Sequence, residues 1–282
     1  MPRIGIIGGS GIYQMEIIKN AKEFVVETPF GMPSDAITVG EISGVEVAFL
    51  PRHGRGHVVA PHKINNAANI FALKELGVEC LILLSAVGSL NEKMAPCDFV
   101  VGEQLVDRTF KRRNTFFEDG VVAHVSLADP FCKKLSDVVF ETAKSVGLKV
   151  HRGSYICIEG PQFSTRKESE LYRSWGLDVI GMTAAPEIKL AREAEMCLAA
   201  VFAVTDYDCW HEGHDDVSVS SVVENLKKNT ENLKKLIEKL VPCLEKKAEC
   251  ECQKSMEYAV ITSEEMVEEN LDLKVREVLL DK

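Results

Sequence analysis

The chain has 282 residues, 46% hydrophobic and 27% charged, with a formal net charge of −10 at pH 7; this describes an ordinary globular protein with ample core, room for one large α/β domain or two small ones. The acidic balance, with no large basic block, argues against nucleic acid as a partner. No run of about 18 apolar residues is present to span a bilayer, and no signal peptide is read at the N-terminus, so a cytoplasmic protein without a membrane partner is expected.

In chain order, the apolar run at 4–8 predicts a strand that breaks into Gly8-Gly9-Ser10-Gly11. A dinucleotide fingerprint needs a third glycine at G-x-G-x-x-G spacing, and a P-loop needs Gly-Lys-Ser/Thr. Ile12, Tyr13 and Gln14 supply neither. What remains is a strand end with exposed backbone N–H groups and the Ser10 hydroxyl. It suits a small oxyanion such as phosphate, or is a glycine turn without a ligand. The strand predicted over 45–51 leads into "RHGRGH". There Arg52 offers a planar fork matched to phosphate and His53 a further donor, although the segment alone also reads as a surface loop. A helix is predicted over 62–77, ending at Gly77. The strand predicted over 80–88 ends in small residues around Ser85 and Ala86, where a ligand can approach the backbone.

Further along, a strand is predicted over 99–106, a helix over 130–147 and a strand over 155–160. The run at 177–183 delivers Thr183 to a helix over 185–196, and the strand over 197–206 delivers Asp206 and Asp208. A partly buried carboxyl there acquires a raised pKa and can protonate a leaving group; a turn held by hydrogen-bonding aspartates is the plainer alternative. Val222, Leu226, Leu233, Leu236, Ile237, Leu240 and Leu244 form one stripe of a long helix over 219–244, and a last helix is expected near 263–280. Strands alternating with helices, without linker or repeat, predict one α/β domain over 1–246, followed by an acidic extension over 247–282. Ser10, Arg52-His53, Ser85 and Thr183 all stand at strand ends. That is where open α/β sheets bind their ligands.

Of the nine cysteines, most stand at apolar positions and read as small core residues, whereas Cys250 and Cys252 stand in a polar tail. No Cys/His set has zinc-finger spacing, and His53, His57 and His62 form no recognisable pattern, so no metal site is assigned. "HEGHDD" (211–216) reads as a solvated loop, and the absence of G-x-S-x-G argues against a serine hydrolase.

The motifs "GIIGGSGIY", "TPFGMPSD", "LPRHGRGH", "PHKINNAANIFALKELG", "LSAVGSL", "AHVSLADPFC", "IEGPQFSTR", "GMTAAPE" and "TDYDCW" occur in that order over roughly residues 3 to 245. Together they resemble the trimeric purine nucleoside phosphorylases, and within them the 5′-methylthioadenosine phosphorylases. The resemblance implies an α/β fold with a mixed, partly barrel-like central sheet flanked by helices, and a homotrimer or dimer of trimers. It implies no cofactor, inorganic phosphate being the second substrate. Phosphate would attack C1′ of a nucleoside and release the base and the sugar 1-phosphate. By the same resemblance, phosphate would sit on Ser10, Arg52, His53, Ser85, Ala86 and Thr183. Asp206 would protonate or hydrogen-bond N7 of the purine, with Asp208 beside it, and Phe163, Ile180 and Met182 would flank the base.

Members acting on 6-oxopurines carry Glu after the Phe of the GPxF motif and Asn where this chain has Asp206. Here Ser164 follows Phe163, the adenine-type pattern, and an aspartate can accept from adenine's amino group. Val219, Val222 and Val223 would form an apolar 5′ pocket, with His124 arriving from a neighbouring subunit. The expectation is phosphorolysis of 5′-methylthioadenosine. The alternative is a broader purine nucleoside phosphorylase taking adenosine, inosine or guanosine. Ser10 and Ser85 stand where animal members carry Thr, Gly181 where they carry Asn, and Ala184-Ala185 where they carry Thr-Val. The Cys-Glu-Cys tail is similar to archaeal members in which such cysteines form disulfides, which makes Cys250 with Cys252 and Cys132 with Cys197 candidate pairs. Residues beyond about 253 have no counterpart in the resemblance.

Overall fold

The computed structural model describes residues 1–9, 17–118, 120–211, 219–246 and 249–281. Among these, nine strands form one mixed sheet: β1 (Ile4–Gly8), β2 (Lys19–Phe24), β3 (Ile37–Ile42), β4 (Val45–Pro51), β5 (Cys80–Ser89), β6 (Phe99–Arg108), β7 (Val150–Ile158), β8 (Val179–Gly181) and β9 (Cys197–Asp206). Their order is β2-β3-β4-β1-β5-β8-β7-β6-β9, and β5 pairs β9 as well. That last pairing closes β5, β8, β7, β6 and β9 into a barrel-like ring, as the resemblance implied. The run β4-β1-β5-β9 is parallel, so the carboxyl ends of these four strands open on one side.

Helices cover both faces. On one, α1 (Asn66–Glu75) lies beside α4 (Ala184–Glu193), and their alanine, leucine and isoleucine side chains share a core with Leu83, Val100 and Phe202 of the sheet. On the other, Leu135 and Val139 of α2 (Lys133–Ser145) and Leu233, Leu236, Ile237 and Leu240 of α5 (Val219–Cys243) pack on Ile6, Phe49, Ile82 and Val201. The predicted stripe of α5 is therefore a sheet-packing face from Leu233 onward.

Several boundaries differ from the sequence pattern. The helix predicted from 62 opens with a separate 3₁₀ turn, Pro61–Lys63, because the Asn65 side chain caps α1 by accepting from the Ala68 N–H. The tail carries two short helices, α6 (Glu264–Asn270) and α7 (Leu273–Leu279), since Asp272 accepts from the N–H groups of Lys274 and Val275 and starts a new helix. The edge strand β2 is exposed throughout and so lacks any apolar signature. Between them in the chain, α3 (Arg166–Ser174) has a capping box, Thr165 with Glu168, that signals a helix start even though its surface is polar.

The tail returns to the domain. Met256, Ala259, Val267, Val275 and Leu279 join the core beneath α1 and α4. An isolated antiparallel bridge between Ala123 and Val260 also ties the tail to an upstream loop, with the N–H of His124 donating to the Ala259 carbonyl at 2.8 Å. No helix among the described residues is long and apolar enough to cross a membrane.

Candidate active site

The carboxyl ends of β1, β4, β5 and β9, with the loop after β8, enclose a cavity of about 320 Å³. Arg52, His53, Ser85, Ala86 and Thr183 line it together with Phe163, Ser164, Ile180, Met182, Asp206 and Asp208. Eleven residues read from separate segments thus share one space, the first five at one end. Ser10 and the side chains of Val219 and Val222 lie outside the described residues. Val223 is exposed and absent from the cavity wall, where Leu226, one turn further along α5, takes part. His124 is also exposed and away from the cavity of its own chain.

At the end lined by Ser85 and Thr183, Arg52 is fully buried and forms a two-pronged ion pair with Glu187 of α4. Its Nε donates to Oε1 at 2.5 Å and its Nη2 to Oε2 at 2.9 Å, while Nη1 donates to the Leu84 carbonyl at 2.9 Å. Of a guanidinium's five N–H donors, these three fix the plane, leaving one on each terminal nitrogen for a ligand. Gly9 is what lets this happen: a Cβ there would stand 2.6 Å from Arg52 Nη1 and 2.9 Å from the Leu84 oxygen. Glu187 was not read as a site residue. The signal that finds it is physical, because a guanidinium buried at a strand end requires a carboxylate nearby.

His53 reverses its expected role as a donor. Its Nδ1 lies 2.8 Å from the Val59 carbonyl, which only accepts, so Nδ1 carries the proton. Burial then holds the ring neutral by bringing its pKa down to about 4; the Val59 bond opposes this and the Arg52 charge adds to it. Nε2 is consequently a lone-pair acceptor. Ser85 and Thr183, both buried, place their hydroxyls 3.3 Å apart across the space between β5 and α4. Thr183 is the residue before α4 and its side chain caps no N–H of that helix, so its hydroxyl is not committed to the helix end. The Tyr155 hydroxyl instead accepts the Thr183 and Ala184 N–H groups, at 3.2 and 3.4 Å.

The acidic end is made by a bulge. The β5–β9 register runs Val87↔Val204 and then Gly88↔Asp206, so Thr205 is an extra residue that turns Asp206 toward the cavity. Gly88 leaves room for it, since a Cβ there would stand 2.9 Å from Asp206 Oδ1. Asp206 Oδ1 accepts the Asp208 N–H at 2.8 Å, and Oδ2 lies 2.7 Å from Thr205 Oγ1. That hydroxyl has one proton and a second acceptor, the Val87 carbonyl at 3.1 Å. When it serves Val87, the Oδ2–Oγ1 contact must be bridged by a proton on Asp206. Burial, the largest influence, raises the Asp206 pKa against these two bonds.

Asp208 is pushed up to about 6, first by burial and further by the nearby Asp206 charge. Asp208 Oδ2 and Ser164 Oγ are buried and have no hydrogen-bond partner among the described residues. Both line the cavity. Phe163 lines the cavity and is 56% exposed. Arg112 ties the loops carrying these groups together. Its Nη1 donates to the Met182 carbonyl and its Nη2 to the Glu159 carbonyl, at 2.6 and 2.5 Å.

The implied disulfides are not formed. Cys132, Cys197, Cys250 and Cys252 are free thiols, and Cys132 Sγ lies 3.5 Å from Cys250 Sγ, across the implied pairs. A sulfur–sulfur bond is about 2.05 Å long.

Comparison with known proteins identifies the family. Residues 3–242 match the family described as the Phosphorylase superfamily. The S-methyl-5′-thioadenosine phosphorylase of Geobacter sulfurreducens is 50% identical over 276 residues, covering 96% of each chain. That of Thermofilum pendens is 50% identical over 260 residues, covering 92% of this chain and 98% of the relative. Among solved structures, a methylthioadenosine phosphorylase from an Antarctic soil metagenomic library superposes with a TM-score of 0.92 at 42% identity, covering 99% of each chain. The Schistosoma mansoni methylthioadenosine phosphorylase in complex with adenine superposes at 0.85 with 36% identity, covering 91% of this chain and 96% of that one. By its sequence, its fold and the strand ends that build its cavity, the chain belongs to the phosphorylase superfamily.

Proposed function

We propose that this chain catalyses the phosphorolysis of 5′-methylthioadenosine to adenine and 5-methylthioribose 1-phosphate. The observation that carries the reading is the single cavity with an anion cradle at one end and a pair of raised-pKa carboxyls at the other. The relatives named above, at about 50% identity over nearly the whole chain, supply the substrate. Inorganic phosphate is the second substrate and no cofactor takes part in the reaction. Phosphate is held by the two remaining Arg52 donors, the Ser85 and Thr183 hydroxyls and the Ala86 backbone, with Ser10 assigned on the resemblance alone. Nε2 of His53 accepts the P–OH proton of hydrogen phosphate.

Because Glu187 neutralises Arg52 and His53 is neutral, the cradle holds the anion by dipoles and not by net charge. The phosphate charge therefore remains available to the cationic sugar that develops as the glycosidic bond breaks, where electrostatic stabilisation counts most. Asp206 meets N7 of the departing base and offsets its negative charge; a positioned acid of this kind contributes about 10²–10⁴-fold. Asp208 Oδ2 and Ser164 Oγ are the polar groups left for the remaining edge of adenine, between Phe163, Ile180 and Met182.

On the resemblance alone, a methylthio group would gain by burial in an apolar 5′ pocket to which Val219, Val222 and Val223 are assigned, whereas a 5′-hydroxyl would lose a hydrogen bond there. The broader reading, with adenosine also accepted, is favoured by Val223 standing outside the cavity wall and by the modest discrimination of apolar pockets. The working form is a cytoplasmic homotrimer or dimer of trimers in which His124 reaches a neighbouring site. Residues 1–246 are the phosphorylase domain and 247–282 an extension docked on it. A substrate panel assayed with and without phosphate tests the reading. Adenine release from methylthioadenosine that requires phosphate supports it, and inosine turned over far faster than methylthioadenosine overturns it.

A further inference from the structure

Away from the cavity, four cysteines distant in the chain meet at one point. Cys132 is the residue before α2, Cys197 opens β9, and Cys250 and Cys252 flank Glu251 in the tail. Their four sulfurs all lie within 4.8 Å of one another, with Cys250 half-buried and the other three buried. We propose that Cys132, Cys197, Cys250 and Cys252 form a tetrathiolate site for a divalent zinc-like metal ion, which fastens the C-terminal extension to the domain.

Tetrahedral zinc holds sulfur at about 2.3 Å, so the sulfurs of such a site stand about 3.8 Å apart. The upper bound of 4.8 Å and the 3.5 Å approach of Cys132 to Cys250 bracket that spacing. A disulfide brings two sulfurs to about 2.05 Å and has no need of the other two. A second feature points to charged sulfur: Arg192 Nη1 donates to Cys252 Sγ at 3.1 Å. A neutral thiol is a weak acceptor, whereas a thiolate bound to metal keeps enough charge to hold a guanidinium.

On binding, four Zn–S bonds form, each ligating thiol releases its proton to solvent, and no electron moves. The product carries two negative charges. Arg192 and the positive N-terminal end of α2 beside Cys132 offset them. Soft thiolate ligands in a tetrahedron select zinc over magnesium or calcium.

The placement gives the site a purpose. Immediately after Cys252, Ser255 Oγ donates to the Arg192 carbonyl, and the Met256 N–H donates to Glu195 Oε1. The chain then pairs with the stretch carrying His124. Anchoring 250–252 therefore sets the register of everything the tail covers. Sequence spacing hid the site because Cys132 and Cys197 come from the body of the domain and only the tail pair is local.

The full-length protein, fully reduced, is given zinc in slight excess, desalted and analysed for bound metal and for reactive thiols. A parallel sample takes cobalt(II). We expect about one zinc per chain, four thiols protected, and the intense visible absorption of tetrahedral thiolate-bound cobalt. Saturating zinc should raise Tm by about 5–10 °C. The Cys250→Ser, Cys252→Ser double variant, altered only in the tail, should lose the metal, the colour and the zinc-dependent Tm shift while keeping the folded domain. Reduced wild-type protein that retains no zinc and stays colourless with cobalt, its four thiols reacting freely or closing into disulfides on oxidation, overturns the proposal. Equal metal retention by the double variant also overturns it, since the ion is then bound elsewhere.

Discussion

Replacing Glu187 by glutamine tests how the anion cradle is balanced. The side chain is fully buried and supplies both carboxylate oxygens to Arg52. Glutamine keeps the volume and one acceptor but removes the charge, leaving the guanidinium unpaired in the interior. Breaking a buried pair in this way costs about 3–5 kcal/mol. At roughly 2 °C per kcal/mol for a chain of this length, Tm should fall by about 6–10 °C in phosphate-free buffer. A phosphate bound against Arg52 replaces the lost charge. Thermal shift across a phosphate titration should therefore show a larger phosphate-induced rise in Glu187→Gln than in wild type. Turnover should show the kinetic counterpart, a lower KM for phosphate with a kcat reduced about tenfold or more, because attraction to a bare cation stabilises the bound nucleophile and not the transition state. A Tm loss below about 2 °C, or one that phosphate does not relieve, would refute the argument that Glu187 keeps the cradle neutral.

Asp206→Asn should lower kcat on adenine nucleosides by about 10²–10⁴-fold and shift relative preference toward 6-oxopurines; a competition assay showing unchanged preference would mean the base pocket is misassigned. Gly88→Ala places a methyl 2.9 Å from Asp206 Oδ1 and 3.2 Å from Ile180 Cγ2. Misaiming the acid in this way should cost about 10²-fold in kcat with little change in Tm, and activity within twofold of wild type would count against the role of the bulge. Asp208→Asn should alter stability in a pH-dependent manner. With its pKa moved from 3.8 up to about 6, Asp208 stabilises the fold below pH 3.8 and loses that contribution as pH rises through 6. Relative to wild type, the Asn variant should gain up to about 3 kcal/mol between pH 4 and pH 7.5; denaturation midpoints that differ by a constant amount across that range would contradict it. His53, held down to about 4, works in the opposite direction, its contribution being present above pH 6.5 and lost as pH falls toward 4.

Much of this protein is legible in its residues taken in order. Apolar runs such as those of β1, β5 and β9 show strands buried on both faces, and glycines, hydroxyls and charges placed just past such runs mark where a ligand meets an α/β sheet. The sequence therefore determined the α/β class and singled out Arg52, Ser85, Thr183, Asp206 and Asp208, which the fold brings to the wall of one cavity. What it could not carry is anything that arises between segments. The Arg52–Glu187 pair joins residues 135 positions apart, and only their proximity in the folded chain turns a cation read by itself into half of a neutral pair. The proton on His53 Nδ1 is decided by a carbonyl six residues on, brought round by a turn. The aim of Asp206 depends on a one-residue slip between β5 and β9, and pairing register is a property of two strands together. The cysteine cluster is the extreme case, with its members contributed by a helix start, a strand start and the tail. Residue type is local and survives in the sequence; protonation, charge balance and coordination depend on distance, which the tertiary fold alone supplies.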